Sequence, residues 1–300
     1  YELGEVLGSG GQGNTYRAVD RESGDTVAVK VLALRGSTWK GFDLFERECD
    51  VLATLDHPGI PHYRDRFADE EAGRYGLVME LVEGQALSQA VKQKVYPSEP
   101  RLWGLLEQSL EILDYLHGLR PPVIHRDLKP ANLLERPDGS LALVDFGGVR
   151  ATLRPEGGST VVGTFGYMAP EQLHGEALAA TDIYALGATL TALAMAQEAD
   201  RLPRSGLKID LEKLMTPGPL RDVLDAMVEP DPAKRLADVA AVRAIVERCR
   251  GALDATPAAL SASTAAAGST AVGPTAPAAR ALAPTTAPPD AMPPAQQAPG

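Results

Sequence analysis

The sequence predicts an α+β protein with two lobes, a small lobe of antiparallel sheet with one helix and a larger, mainly helical lobe. Residues 1–80 contain runs that alternate apolar and polar residues and are rich in β-branched types. Residues 81–251 are dominated instead by apolar residues at helical spacing. A change of composition near residue 252 predicts where the folded part ends.

The small lobe is predicted from strand runs and one helical run. The strand runs are TYRAVD, TVAVKVLAL and YGLVMEL. Between the last two lies FDLFERECDVLATL, whose apolar positions recur at helical spacing at Phe42, Phe45, Cys49, Leu52 and Leu55. This order predicts that a helix interrupts the sheet before its last strand.

The large lobe is predicted mainly from long helical runs. LWGLLEQSLEILDYLHGL aligns its leucines along one stripe, at Leu102, Leu105, Leu106, Leu113 and Leu116. TDIYALGATLTALAMA is apolar nearly all round, which predicts a buried helix, and Asp182 near its start is a candidate N-terminal cap. Short strands are predicted at VIH, NLLE and LALVDF.

Composition and charge argue against several classes of protein. The net charge of −11 argues against general nucleic-acid binding, which needs a basic patch. Cys49 and Cys249 lie far apart and form no CxxC, so a reduced cytoplasmic setting is favoured over a disulfide framework. We recognise no signal peptide and no apolar run fit to span a membrane.

Residues 252–300 are predicted to form a disordered linker or tail. Ala, Pro, Thr, Ser and Gly dominate this segment, while charges and aromatic residues almost vanish. It has little apolar surface to bury against the entropy of ordering, and its prolines interrupt any long helix. A linker at this end suggests that the natural protein continues.

Residues 7–16, LGSGGQGNTY, place Gly8, Gly10 and Gly13 at the spacing G-x-G-x-x-G. This spacing serves either a dinucleotide-binding turn or a β-hairpin that covers the phosphates of ATP. A dinucleotide fold needs a helix directly after the glycines, whereas here a strand, a turn at 23–25 and a second strand follow. The glycines are therefore predicted at the tip of a hairpin, although a purely structural turn stays open from them alone.

Further motifs follow in order: VAVK (27–30), HRDLKPAN (125–132), DFG (145–147) and APE (169–171). Any one of these motifs could occur by chance, but all four stand in the order and at the spacing found in protein kinases. The chain therefore resembles the eukaryotic-type Ser/Thr protein kinases, and in particular the catalytic domain of the bacterial eukaryotic-like kinases. The resemblance covers about residues 1–250. It implies the bilobal protein kinase fold, with a kinase domain over 1–251 that divides into an N-lobe (1–80) and a C-lobe (81–251).

The resemblance implies roles in phosphoryl transfer, which depends on positioning and charge neutralisation. Lys30 would bind the α- and β-phosphates of ATP, and Glu48 would hold this lysine, with Glu46 as its rival. Asp127 would accept the proton of the incoming hydroxyl or orient it. Lys129 would neutralise the transferring phosphate.

The metal and the remaining contacts are implied in the same way. Asp145 and Asn132 would bind Mg²⁺, with Mn²⁺ as an alternative, because hard cations prefer oxygen ligands. Thr164 would bond toward Asp127 and Lys129. The ATP-binding residues implied by the resemblance are Leu7, Gly8, Gly10, Gly13, Thr15, Ala28, Lys30, Met79, Glu80, Val82, Asn132, Leu134 and Asp145.

Two positions depart from the family pattern. Thr15 stands where the family usually has Val, and we expect adenine still to fit beside its hydroxyl. Gly59 stands where Asn is common. Neither residue is expected to touch the transferred phosphate.

Other residues are expected to be architectural. The family has a side-chain stack that joins the lobes, here Leu52, Tyr63, His125 and Phe146, and a buried ion pair, here Glu171 with Arg235. His125 is expected to pack rather than to act as an acid or base. By the same resemblance, Asp182 is expected to bond the backbone of the catalytic loop, which is the HRDLKPAN segment at 125–132.

Lys129 and the segment GTFGYMAPE favour Ser/Thr over Tyr as the acceptor. Residues 148–168 would form the activation segment. Autophosphorylation is expected at Thr160, with Ser159 as the second choice, and Arg126 would receive the phosphate. An unmodified hydroxyl in a flexible loop is the alternative.

The leading hypothesis is an active, ATP- and Mg²⁺-dependent Ser/Thr protein kinase that acts on proteins. A pseudokinase scaffold is the alternative, and a small-molecule kinase is a third hypothesis. Pseudokinases usually lose an equivalent of Lys30, Asp127 or Asp145, and all three are present. A homodimer is a further expectation, as is a cytoplasmic location, with the full-length protein anchored to a membrane through the linker as the alternative.

Overall fold

The computed structural model describes residues 1–10, 13–33, 39–69, 73–151 and 163–249. The predicted tail at 252–300 lies outside the described residues, as do Ser159 and Thr160. In the described part of the chain, no helix combines the length and the apolar character needed to cross a bilayer.

A five-stranded antiparallel sheet forms the small lobe, in the order β1-β2-β3-β5-β4. Its strands are β1 (Glu2–Gly10), β2 (Gly13–Val19), β3 (Thr26–Ala33), β4 (Tyr63–Asp69) and β5 (Arg74–Glu80). The predicted small antiparallel sheet is confirmed. Strand β4, at one edge, was not among the predicted runs.

The two faces of this sheet carry different cores, because side chains alternate along a strand. One face buries a small cluster of Ala18, Val27, Val29 and Val78. The other face contributes Ala28, Leu77 and Met79 to the main core, which extends into the large lobe. Lys30 pairs in register with Leu77 and therefore lies on the face directed toward the large lobe.

The single helix of the small lobe, α1 (Trp39–Leu52), follows β3. It buries Phe45, Cys49 and Leu52 at helical spacing, which confirms the predicted helix. The helix begins three residues before the predicted run and ends at Leu52. Leu55 is buried beyond its end, directly after the turn at 53–54.

The large lobe is mainly helical, as predicted. Its helices are α2 (Ser88–Gln93), α3 (Glu99–Gly118), α4 (Ala179–Ala194), α5 (Pro219–Met227) and α6 (239–249). Short 3₁₀ helices occupy Pro170–His174, Ala199–Arg201 and Leu211–Lys213. The leucine stripe of α3 is buried, and every residue of α4 from Ala180 to Leu193 is buried, so both predicted helices are confirmed.

The predicted N-cap at Asp182 is wrong. Helix α4 begins at Ala179, so Asp182 lies inside its first turns rather than before them. The hydroxyl of Thr181 accepts the N–H of Leu178 at 3.0 Å and supplies the start of the helix. The Asp182 carboxylate is thereby left for other partners.

Short strands connect the helices of the large lobe. They are β6 (Gln85–Ala86), β7 (Val123–Ile124), β8 (Leu133–Glu135), β9 (Leu141–Leu143), β10 (Arg150–Ala151), β11 (Arg204–Ser205) and β12 (Lys208–Ile209). Strand β8 pairs with β6 and β9, β7 with β10, and β11 with β12. The β8–β9 pairing places the loop before β8 beside the loop after β9, and these loops carry HRDLKPAN and DFG.

A buried ion pair ties the 3₁₀ helix at 170–174 to the segment before α6. Arg235 donates from Nη1 to Glu171 Oε1 at 2.6 Å and from Nη2 to Glu171 Oε2 at 3.0 Å. Its remaining N–H groups donate to the carbonyls of Ala180, Glu229 and Pro230. Burial raises the pKa of Glu171, but the bonds from Arg235 outweigh it and hold this pKa below its usual value.

Candidate active site

Lys30 on β3 meets Glu48 on α1 in the interior of the small lobe. The Lys30 ammonium lies 2.7 Å from Glu48 Oε1 and 2.8 Å from Oε2, and both side chains are buried. Burial alone lowers the pKa of Lys30, but the carboxylates of Glu48 and Asp145 outweigh it and raise this pKa. These carboxylates therefore favour the charged form of Lys30. Lys30 pairs with Glu48, whereas Glu46 pairs with Arg66.

Asp145, in the loop after β9, connects this pair to the large lobe. Its Oδ1 lies 2.7 Å from Lys30 Nζ. Partial burial raises the pKa of Asp145, but the Lys30 charge outweighs it and keeps the pKa below its ordinary value. The backbone of Asp145 has φ +66°, a left-handed conformation that is rare outside glycine and concentrates at functional sites.

The side chains predicted to stack between the lobes lie in one core. Leu52, His125 and Phe146 are buried, and Tyr63 packs against the same cluster. The rings of His125 and Phe146 meet edge to face with centroids 5.0 Å apart. Burial lowers the pKa of His125, so this ring is neutral and packs as predicted.

Side chains of the HRDLKPAN loop (125–132) and Thr164 converge on the Asp127 carboxylate. Thr164 Oγ1 lies 2.8 Å from Asp127 Oδ1, and Lys129 Nζ lies 2.7 Å from Asp127 Oδ2. Lys129 also donates to Thr164 Oγ1 at 2.8 Å. Asn132 donates to the Asp127 carbonyl at 2.8 Å and approaches Oδ2 at 3.3 Å. Asp127 thus has a fixed orientation while remaining partly accessible.

Asn132 also connects the catalytic loop to the loop that carries Asp145. Its carbonyl accepts the N–H of Val144 at 2.9 Å, directly before Asp145. Both side-chain hydrogen bonds from Asn132 to Asp127 use Nδ2, so neither of them uses the side-chain oxygen Oδ1. Asp127, Asn132 and Asp145 therefore belong to one connected set.

Three side chains outside the loop itself hold the catalytic loop in place. Asp182 accepts the backbone N–H groups of His125 at 2.9 Å and Arg126 at 2.8 Å. His117 lies 2.9 Å from the same carboxylate. Gln172 donates to the Arg126 carbonyl at 2.8 Å. The bond from Asp182 to this loop was expected, whereas Gln172 and His117 have no local sequence signal.

The glycine-rich stretch forms the tip of the β1–β2 hairpin, as predicted. Gly10 pairs with Gly13, and Gly8 pairs with Thr15. Gly13 has φ +136°, and a Cβ there would overlap the carbonyl oxygen of Val31. A Cβ at Gly8 would meet no described atom within 4 Å, so this position leaves open space above the hairpin.

The other residues expected to bind ATP lie on the strands of the small lobe, directly after β5, and on β8 of the large lobe. Thr15 is the register partner of Lys30, and Ala28 is the register partner of Met79. Leu7 is exposed on β1, Glu80 ends β5 and Val82 follows it half-buried, while Leu134 lies on β8. The Glu80 carboxylate accepts the N–H of His62 at 3.2 Å and is thereby directed toward the segment before β4.

Of the residues expected to be regulatory, only Arg126 lies among the described residues. Arg126 is buried beside Asp127 and has φ +69°. Thr160 and Ser159 lie outside the described residues.

Gly59 has a packing explanation. A Cβ at this position would meet Ile112 Cγ1 at 2.7 Å and Cδ1 at 2.8 Å. The Gly59 carbonyl accepts the N–H of Leu143 on β9 at 2.8 Å, so the backbone cannot easily move away. The glycine at position 59, where the family commonly has Asn, is thus explained by its close packing against Ile112 on α3.

These features define a two-lobed protein with cationic and carboxylate groups gathered between a glycine-rich hairpin and a rigid loop. The chain matches the family model described as "Protein kinase domain" over residues 1–245, and it belongs to that family. The expected protein kinase fold is confirmed.

The chain is similar to bacterial protein kinases. It is 37% identical over 207 residues to Serine/threonine-protein kinase B of Synechocystis sp., which covers 63% of this chain and 35% of that protein. It is 36% identical over 195 residues to Serine/threonine-protein kinase PknA of Mycobacterium tuberculosis, covering 62% and 44%. Serine/threonine-protein kinase F of Synechocystis sp. is 33% identical over 295 residues, covering 87% and 57%. The chain thus spans between 35% and 57% of the length of these curated relatives.

Proposed function

We propose that this chain is a Ser/Thr protein kinase that transfers the γ-phosphoryl group of ATP to a protein hydroxyl. One observation carries this conclusion. Lys30 from the small lobe lies 2.7 Å from Asp145 of the large lobe, and Asn132 joins the Asp145 loop to Asp127. The phosphate-binding cation and the group that would meet the acceptor therefore belong to one connected set of side chains.

Lys30 would bind the α- and β-phosphates of ATP. Glu48 holds the ammonium from the side of α1, so the lysine loses little freedom when the nucleotide arrives. The open space above Gly8 lets backbone N–H groups approach a phosphate without a side chain between them.

Asp145 and Asn132 fit a magnesium ion. Asp145 is 40% exposed and uses Oδ1 for Lys30, which leaves Oδ2 as a carboxylate oxygen, and Asn132 adds an amide oxygen. Such oxygen ligands suit Mg²⁺, which commonly takes one or two protein carboxylates together with phosphates. When bound, the ion would neutralise charge on the β- and γ-phosphates.

Asp127 would orient the acceptor hydroxyl and take its proton. The acceptor oxygen forms a bond to the γ-phosphorus, and the bond from that phosphorus to the bridging oxygen of ADP breaks. The hydroxyl proton passes to the Asp127 carboxylate, which Thr164 and Lys129 hold from two sides. Lys129 keeps positive charge beside the transferring group.

The choice of Ser/Thr acceptors is supported by Lys129 and Thr164, which bond each other at 2.8 Å. It is also supported by the names of the relatives, each of which is a serine/threonine-protein kinase. We infer in addition that the segment 148–168 is autophosphorylated at Thr160, or else at Ser159, with Arg126 as the phosphate-binding cation. A homodimer, a cytoplasmic location, and membrane anchorage of a longer protein through 252–300 stay predictions.

The test is intact mass followed by phosphopeptide mapping after incubation with ATP and Mg²⁺. Added phosphate is expected on the wild type and on Asp56→Asn, a control at an exposed aspartate. Asp127→Asn should bind ATP yet incorporate phosphate about 10²- to 10³-fold more slowly. A wild type that binds ATP but adds no phosphate to itself or to a Ser/Thr peptide library contradicts the proposal and favours a scaffold, and transfer to metabolites alone favours a small-molecule kinase.

A further inference from the structure

Strand β2 carries Arg17 on the same face of the sheet as Lys30. Register partners on neighbouring strands direct their side chains to the same face, and side chains two positions apart on a strand share a face. Thr15 pairs with Lys30, and Arg17 pairs with Ala28. Ala28 belongs to the main core, which extends into the large lobe. Arg17 therefore leaves the sheet on the side directed toward the large lobe.

The Arg17 guanidinium lies between two carboxylates from separate parts of the chain. Its Nε is 3.3 Å from Oε1 of Glu5 on β1. Its Nη2 donates to Oε1 of Glu83, which follows β5, at 3.4 Å. The Nε atom is buried, although the side chain as a whole is 40% exposed. We call Glu5, Arg17 and Glu83 the Arg17 bridge.

The two ends of the Arg17 bridge belong to different lobes. Glu83 directly precedes Gly84, where a Cβ would lie 2.5 Å from the carbonyl oxygen of Glu135 on β8. The next two residues form β6, which pairs with β8. Glu83 is therefore fixed to the large lobe, whereas Glu5 and Arg17 lie on the two strands of the glycine-rich hairpin.

The Arg17 bridge also lies next to residues expected to bind the nucleotide. Arg17 is the register partner of Ala28, and Glu83 directly follows Val82. Ala28 and Val82 are both among the residues expected to bind ATP. A change in the position of Arg17 relative to Glu83 would therefore change how the hairpin lies over a bound nucleotide.

We propose, on the basis of the ATP binding proposed above, that Arg17 is a positioning residue for the nucleotide. It ties the glycine-rich hairpin to the point where the chain enters the large lobe, and so favours the arrangement in which the hairpin covers ATP or ADP. Loss of the Arg17 bridge lets the hairpin open more often, so both nucleotides bind more weakly. The effect is modest and depends on salt, because the charges stand at a partly exposed edge.

Titration calorimetry with ADP and Mg²⁺ tests this role without any turnover. Arg17→Met should raise the Kd for ADP about two- to fivefold, which is the range expected for an exposed ion-pair network. The difference from the wild type should shrink as the ionic strength rises. In steady-state assays, the KM for ATP should rise by a similar factor, while kcat should not fall, because Asp127 and Lys129 are untouched.

Arg21→Met is the matched control. Arg21 follows β2, and its Nη2 lies 3.2 Å from Glu2 on β1, so this ion pair stays within the small lobe. The variant removes the same charge from the same hairpin and should leave the Kd for ADP unchanged. Glu83→Gln, which keeps the size of the side chain, should resemble Arg17→Met.

A charge exchange separates the Arg17 bridge from a merely structural role of these side chains. Glu83→Arg places a second cation beside Arg17 and should weaken ADP binding. Arg17→Glu combined with Glu83→Arg again places one cation between two carboxylates, since Glu5 is retained. This double variant should restore the Kd for ADP to within about twofold of the wild type.

Amide hydrogen exchange of residues 5–10 without nucleotide gives a second readout. Exchange should increase in Arg17→Met and not in Arg21→Met. An unchanged Kd for ADP in folded Arg17→Met, an equal rise in Arg21→Met, or a double variant no better than Glu83→Arg overturns the positioning role while the kinase activity stands. A wild type that binds no ADP overturns the proposed function, and unchanged exchange in Arg17→Met then overturns the Arg17 bridge as well.

Discussion

Replacing Thr164 by valine removes one hydroxyl from the Asp127 cluster with almost no change in side-chain shape. In the wild type, this hydroxyl lies 2.8 Å from Asp127 Oδ1 and 2.8 Å from Lys129 Nζ. Asp127 would keep its Oδ2 contacts with Lys129 at 2.7 Å and Asn132 at 3.3 Å. The carboxylate would therefore remain in place but could rotate about the bonds that remain.

The expected loss follows from the charge of the partners. A hydrogen bond to a charged group contributes about 1.5–3 kcal/mol, which corresponds to a decrease of about 10- to 150-fold in kcat. The KM for ATP should change little, because Lys30 and Glu48 are remote from Thr164 in the network. Initial rates at varied ATP and saturating peptide, measured on protein of verified thermal stability, give both constants.

Thr164→Ser is the control, since it retains the hydroxyl and loses only a methyl group. It should keep kcat within about threefold of the wild type. If Thr164→Val retained kcat within the same limit, or if serine were as poor as valine, the hydroxyl would not orient Asp127 and our interpretation of the cluster would be wrong.

Arg235→Met should lower the free energy of unfolding in urea by about 3–5 kcal/mol, because it leaves the buried Glu171 carboxylate unpaired. The control Arg243→Met breaks only an exposed ion pair and should lower the free energy of unfolding by less than about 1 kcal/mol. Equal losses in the two variants would contradict the role of the buried pair. The folded-state pKa of Glu171 is depressed, so the stability that its carboxylate contributes is complete above its unfolded-state pKa and disappears as the pH falls through the folded-state pKa. The difference in unfolding free energy between the wild type and Glu171→Gln should therefore shrink in acid. A difference that stays constant with pH would refute the assignment. Gly59→Asn should destabilise by about 1–3 kcal/mol through contact with Ile112, and combination with Ile112→Val should restore part of the loss.

Local periodicity and spacing predict the main elements of this fold correctly. Helix α4 is apolar on every side and is buried on every side from Ala180 to Leu193. Helix α1 buries Phe45, Cys49 and Leu52 at the spacing that the sequence displays. These predictions succeed because the residues buried on one face of a helix recur at a fixed spacing along the sequence.

Elements whose stability comes from distant partners were not predictable in this way. Strand β4 lies at the sheet edge and is exposed along most of YRDRFAD, so its alternation of apolar residues is weak. Gly76 on β5 could not carry a side chain there, since a Cβ would overlap the ring of Phe67. The pairing of β4 with β5 is thus visible only when both strands are in place.

The candidate site likewise contains some residues that the local sequence predicts and others that depend on distant partners. The motifs and the resemblance identify Lys30, Asp127 and Asp145 and some of their partners, but not the more distant groups that hold the loops in place. Arg204 bonds a carbonyl that lies 38 positions earlier in the chain, and Gln172 bonds one 46 positions earlier. Every residue type has the same backbone carbonyl, so no pattern of residue types in the sequence indicates which carbonyl a distant side chain will bond.

The strained backbone of the loops explains why these unmarked partners matter. Arg126 and Asp145 both adopt left-handed φ values, at a cost on the order of 1–3 kcal/mol each. Asp182 accepts the Arg126 N–H, and Gln172 donates to the Arg126 carbonyl, so both peptide groups of the strained residue are fixed by buried side chains. Because Asp182 lies inside α4 rather than at its cap, a helix that is buried from Ala180 to Leu193 holds the loop that carries Asp127. Substitutions in α4 should therefore affect catalysis through the shape of this loop.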